Sequence, residues 1–191
     1  MSHMRHMCLM KALKLTTEQA IIEAGFAVFS ANAGASMADV AKHAGVGRAT
    51  LHRHHPSRDA LLNTLAKTAL TELDAVVVQA TENATSYMQG LEWALGAILP
   101  LANRQLFLAT AIFEADAALQ EAYAAEDASL LNDIDKAKAE GGFDPNLPTA
   151  WIAEAYTHLI YAAWKLVQDG AATPNQAAAF AWRTLLKGNG P

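Results

Sequence analysis

Apolar residues recur at three- and four-residue spacing through most of the chain, and no alternating run of apolar and polar positions marks a strand. Ile22, Phe26 and Phe29 (i, i+4, i+7) predict a helix over 16–31. Val40, Ala41, Ala44, Val46 and Leu51 flank Gly45 and predict two short helices, 36–43 and 47–53, that cross at those residues. Leu61, Leu65, Ala69 and Leu73 keep helical spacing behind Ser57, a good cap, and predict a long helix over 57–80. The pattern then restarts. A helix from Tyr87 to Leu99 is stopped by Pro100, and another runs from Arg104 to Glu114. A longer one runs from Ala117 to Glu140, with acidic residues on its outer face, and ends at Gly141-Gly142. Pro148 opens a helix that runs to Asp169, and Thr173 with Pro174 opens a last one to about Lys187. The reading is an all-α fold of about nine helices.

The window Met37–Pro56, MADVAKHAGVGRATLHRHHP, is laid out as helix, glycine-centred turn, helix. That is the form of a helix-turn-helix, whose second helix enters the DNA major groove. Ser36 and Asp39 make a capping box for the first helix. Gly45 stands where that helix must stop, and glycine enters the left-handed region at little cost. With Leu51 facing inward, the groove side of the second helix carries Arg48, Ala49, Thr50, His52 and His54. Arg48 can donate two bonds to guanine O6 and N7, and Thr50 can meet a thymine methyl or a phosphate. Ser36 and the amides behind it can hold a phosphate. Charge agrees: residues 1–67 carry eight Lys/Arg against four Asp/Glu, whereas residues 68–191 carry six against fifteen, so a basic head sits on an acidic body.

These segments resemble the TetR family of bacterial transcriptional regulators. Ala24, Phe29 and Gly34 are similar to the small residue, phenylalanine and turn glycine of the family's first helix, and GVGRATLHRHHPSRDALL (Gly45–Leu62) to its signature. The resemblance covers roughly residues 15–70. It implies that Thr50, His52 and His54 touch bases or phosphates and that Arg58 is a phosphate clamp. It departs at His52, where tyrosine is common, and at His55, where an aromatic or aliphatic residue usually packs under the recognition helix. A buried imidazole there must find a partner or lose hydration uncompensated. The division expected is a flexible leader at 1–14, a DNA-binding domain at 15–60 and an effector-binding and dimerisation domain at 61–191.

The penultimate helix is apolar on two faces, Ile152, Ala155, Leu159, Ala163 and Leu166 on one, Trp151, Tyr161, Trp164 and Gln168 on the other. Such helices need burial on more than one side. Either both last helices are interior to a monomer, or they pair with a second copy; half-site recognition favours the homodimer. By resemblance the body holds an effector pocket, for which Trp93, Phe107, Phe113, Tyr123, His158, Tyr161 and Trp164 are candidates, with an apolar or aromatic effector.

One cysteine, Cys8, excludes an internal disulfide and fits a reducing cytoplasm. No apolar run reaches the roughly 20 residues of a membrane span, and the start lacks the apolar core of a secretory signal. The His52, His54 and His55 cluster has poor spacing for a metal on a helix, so neither metal nor cofactor is expected. The function expected is a sequence-specific regulator, a homodimeric repressor on a near-palindromic duplex operator, released by a small molecule. The alternatives are a non-specific DNA-binding protein and an all-helical histidine-dependent enzyme, although no nucleophile elbow, phosphate loop or His-Glu-x-x-His occurs.

Overall fold

The computed structural model describes residues 15–111 and 115–190. The leader expected at 1–14, with Cys8, and the pocket candidate Phe113 lie outside the described residues. Among the described residues are nine α-helices and one 3-10 turn. They are α1 (Thr17–Ala31), α2 (Met37–His43), α3 (Arg48–His54), α4 (Arg58–Thr81), α5 (Tyr87–Ile98), the turn Leu99–Leu101, α6 (Ala102–Ala111), α7 (Ala117–Ala139), α8 (Thr149–Gln168) and α9 (Pro174–Asn189).

Local chemistry sets most of the boundaries. Thr16 and Gln19 form a reciprocal capping box on α1, and Thr173 and Gln176 form another on α9, where Pro174 occupies the first turn. The Ser57 hydroxyl accepts from the Ala60 N–H at 3.1 Å and starts α4. Pro100 does not end the helical path as expected. It sits inside the 3-10 turn, where a missing donor is tolerated, and α6 follows at once from Ala102 rather than Arg104.

Two apolar clusters hold the molecule together. The first joins Ile21, Phe26 and Phe29 of α1, Val40 and Ala41 of α2, Leu51 of α3 and Leu61, Leu62, Leu65 and Leu73 of α4. It is closed by Phe107 and Leu108 of α6, Phe107 meeting Phe26 edge to face at 5.5 Å. The first three helices therefore do not complete their own core; α4 and α6 supply part of it. The second cluster joins α5, α7, α8 and α9 through Leu95, Ile134, Phe143, Ile152, Tyr156, Ile160, Trp182 and Leu185. Arg104 of α6 ties the two regions further. It is buried, donates to Glu72 of α4 at 2.9 Å and to Glu23 of α1, and lies 4.4 Å over the ring of Phe26.

Candidate nucleic-acid interface and ligand cavity

The crossing of α2 and α3 follows the spacing of their small and apolar residues. Val40, Ala41 and Leu51 are buried, and α2 ends in a tight reversal. The Val46 N–H donates to the Ala41 carbonyl at 3.0 Å, the Gly45 N–H donates to that of Lys42 at 3.2 Å, and Gly45 adopts φ 67°. The Ser36 hydroxyl accepts from the Asp39 N–H and donates to the Asp39 carboxylate at 2.6 Å, which holds that carboxyl below its usual range. Ser36 thus caps α2 and presents it outward.

With Leu51 anchoring α3 from beneath, Arg48, Ala49, His52 and His54 are exposed and Thr50 is half-buried. These are the residues assigned to the groove side, and they stand together on one short helix. Nδ1 of His52 lies 3.4 Å from the Pro56 carbonyl. Arg58 is engaged within the fold: it donates to the Ala33 carbonyl at 2.6 Å and its guanidinium covers the Phe29 ring at 5.2 Å. It clips the start of α4 to the turn between α1 and α2, and any phosphate contact has to share the guanidinium with that role. His55 is buried at 4% exposure beneath α3, and its Nε2 meets no hydrogen-bond partner. Burial, opposed by Glu18 and aided by His54, pushes its pKa down, so the ring is held neutral.

Beyond the head, α4, α5, α6, α7 and α8 enclose a cavity of about 530 Å³, within the usual range for a small-molecule site. Leu73, Leu91, Ala94, Leu108, Tyr156 and Ile160 form its buried wall, and Tyr87 and Tyr123 add aromatic faces. Burial pushes the phenol of Tyr156 far up, and its hydroxyl donates to the Leu91 carbonyl at 2.8 Å.

Of the pocket candidates read from sequence, Tyr123 lines this cavity. Phe107 does not; it is wholly buried in the first core cluster. Trp93 stands at a separate depression between α5 and α9. His158 points outward beside Glu154 of its own helix. Tyr161 and Trp164 stack on each other at 5.8 Å away from the cavity. The buried register of α8 is instead Ile152, Tyr156, Ile160 and Ala163, which puts Tyr156 and Thr157 on the cavity side. The acidic residues of α7 are solvent-facing as expected, and three of them, exposed Glu126 and Asp127 and half-buried Asp133, also border the cavity together with the exposed Asp74 of α4. Among the described residues no group of three or more His, Cys, Asp or Glu side chains is placed to hold a metal ion, and no helix is long and apolar enough to cross a membrane.

A short helix displayed across a capped partner, joined by a long helix to a body with a ligand-sized cavity, defines a helix-turn-helix transcriptional regulator. Residues 21–65 match the family model described as bacterial regulatory proteins, tetR family. The HTH-type transcriptional repressor LfrR of Mycolicibacterium smegmatis is 27% identical over 158 residues, covering 81% of this chain and 80% of the relative. The crystal structure of LfrR in complex with proflavine superposes with a TM-score of 0.65 at 24% identity, over 90% of this chain and 96% of that one. The ketosteroid transcriptional regulator KstR2 of Mycobacterium tuberculosis shares the fold at a TM-score of 0.71 and 15% identity, over 92% of this chain and 96% of its own. The chain thus matches the tetR family over its DNA-binding segment, residues 21–65, and resembles TetR-type regulators over most of its length.

Proposed function

We propose that this regulator is a homodimeric, cytoplasmic repressor that reads a near-palindromic operator with α3 and leaves it when a small molecule enters the body. The observation that carries the reading is the continuity of α4. Its first turns, through Leu61, Leu62 and Leu65, are built into the core beneath α3, and its later turns, through Leu73, Asp74 and Val77, wall the cavity. A ligand that prefers one placement of α4 therefore biases the placement of α3, by no more than its differential affinity for the two. In this reading Arg48 contacts a guanine, and Ala49, Thr50, His52 and His54 meet bases or phosphates. Ser36 marks a phosphate contact at α2, and Arg58 supports both the fold and the backbone grip.

The dimer face is assigned to α8 and α9, which pack along each other and still leave Trp151, Tyr161, Leu166 and Phe180 exposed. Support for repression and for a small-molecule effector comes from the mycobacterial relative, which is named a repressor and whose structure holds proflavine.

Selection of sites from a random duplex library at about 150 mM salt, where non-specific phosphate binding is weak, tests the reading. An enriched near-palindrome is expected. Arg48→Ala should then cost about 1–3 kcal/mol at one base position. Binding that only fades with salt, with no enriched site, would instead identify a non-specific DNA-binding protein.

A further inference from the structure

The cavity has a polarity that its apolar wall does not reveal. Five of its lining residues are acidic, Asp74 of α4, Glu126, Asp127 and Asp133 of α7, and Glu140 at the end of α7, and among the described residues no lysine, arginine or histidine lines it. Two of these acids have duties in the fold. Glu140 accepts the Tyr87 N–H at 2.9 Å and so holds the start of α5, and Asp133 accepts from the Asn132 amide. Among the described residues no base bridges Asp74, Glu126 and Asp127. Partial burial first, and then the charge of Asp74 on the neighbouring helix, raises the pKa of Glu126, although both side chains still reach solvent. Asp127 acts in the same way on the half-buried phenol of Tyr123. Lys136 lies near the rim, 4.9 Å over the ring of Tyr87, but does not line the cavity.

We propose that the cavity selects organic cations: a flat apolar or aromatic molecule carrying a positive charge. Its body would lie between Leu91, Tyr156 and Ile160, and its charge towards Asp74, Glu126 and Asp127. The wall removes apolar surface from water, the tyrosine rings offer negative faces to a cation, and the carboxylates repel an anion and relax their mutual repulsion around a cation. The acidic body also concentrates cations near the entrance. The inference rests on the reading of this cavity as the effector site, and it adds the charge of the ligand.

Three flat three-ring compounds of differing charge separate the terms: N-methylacridinium (cation), N-methylacridone (neutral) and anthracene-9-carboxylate (anion). Titration into the purified full chain, followed calorimetrically, is expected to show the cation bound at least about tenfold more tightly than either other compound, as one close charge implies at intermediate dielectric. The double variant Asp74→Asn/Glu126→Gln, shown to be folded by its circular dichroism, should lose that preference and keep its affinity for the neutral compound. Equal affinity for cation and neutral compound would overturn the charge inference and leave the effector reading standing. A preference that survives in the variant would also overturn it, because these carboxylates would not be its source. Binding of none of the three would overturn both.

Discussion

Replacing Glu23 and Glu72 together by alanine is expected to destabilise the protein more than replacing the arginine they share. Arg104 is only 6% exposed, whereas the two glutamate side chains are 45% and 40% exposed. In Glu23→Ala/Glu72→Ala the guanidinium stays under the fold with the Asn103 amide oxygen at 3.1 Å and the Phe26 ring as its remaining partners. Stranding a buried charge costs about 3–5 kcal/mol. In Arg104→Met the stem still packs and the two carboxylates turn back to water. Ion pairs with such half-exposed partners are worth up to about 1 kcal/mol each, and the contact with Phe26 adds about 0.5–1 kcal/mol, so the total is at most about 3 kcal/mol.

Urea unfolding at one fixed protein concentration, since association would couple to stability, measures both variants. With unchanged m values, the midpoint of the double-acid variant should lie clearly below that of Arg104→Met. An Arg104→Met variant as unstable as the acid pair would refute the reasoning, because stability would then come from the positioned guanidinium itself and not from the neutralisation of its buried charge.

The folded state holds His55 neutral by lowering its pKa, whereas the unfolded chain takes up the proton near pH 6.5. The unfolded state then binds more protons as pH falls below about 6.5, so this stability is complete above that value and is lost towards acid. His55→Phe should abolish that loss, and a melting-temperature gain that is the same at pH 7.5 and 5.5 would contradict it. Phe107→Ala should cost about 3–5 kcal/mol in unfolding experiments, as core truncations of aromatics do; a loss confined to ligand binding would place Phe107 in the cavity after all. A methyl group at Gly25 would stand 2.8 and 3.0 Å from the methyls of Leu65. Gly25→Ala should therefore cost about 1–3 kcal/mol, and Leu65→Ala in the same chain should recover part of it; strict additivity of the two changes would rule out the clash.

The head was legible because its determinants are local. Gly45 must turn, Ser36 and Asp39 must cap, and Leu51 must face Val40, and each of these acts within about fifteen residues of chain. The same residues leave Arg48, His52 and His54 no direction but outward. The cavity is a different kind of object. Its wall is assembled from five helices, and a lining residue need not belong to the most apolar stripe of its own helix. On α8 the rings of Trp151, Tyr161 and Trp164 dominate the pattern, yet Ile152, Tyr156 and Ile160 are the inward register and the large rings stand elsewhere. On α7 acidic residues at regular spacing imply a solvated face, and Glu126 and Asp127 are exposed, but the spacing does not show that this face borders a cavity with Asp74 of α4 near Glu126. Arg104 shows the same limit in the core, since nothing in LANRQLF predicts that this arginine meets acids 81 and 32 residues away. Periodicity reports whether a side chain avoids water, but not whether it borders a neighbour, a partner or an internal space. That choice is made by the packing of separate helices, so the charge of the cavity, and with it the class of ligand it can hold, emerges only from the assembled body.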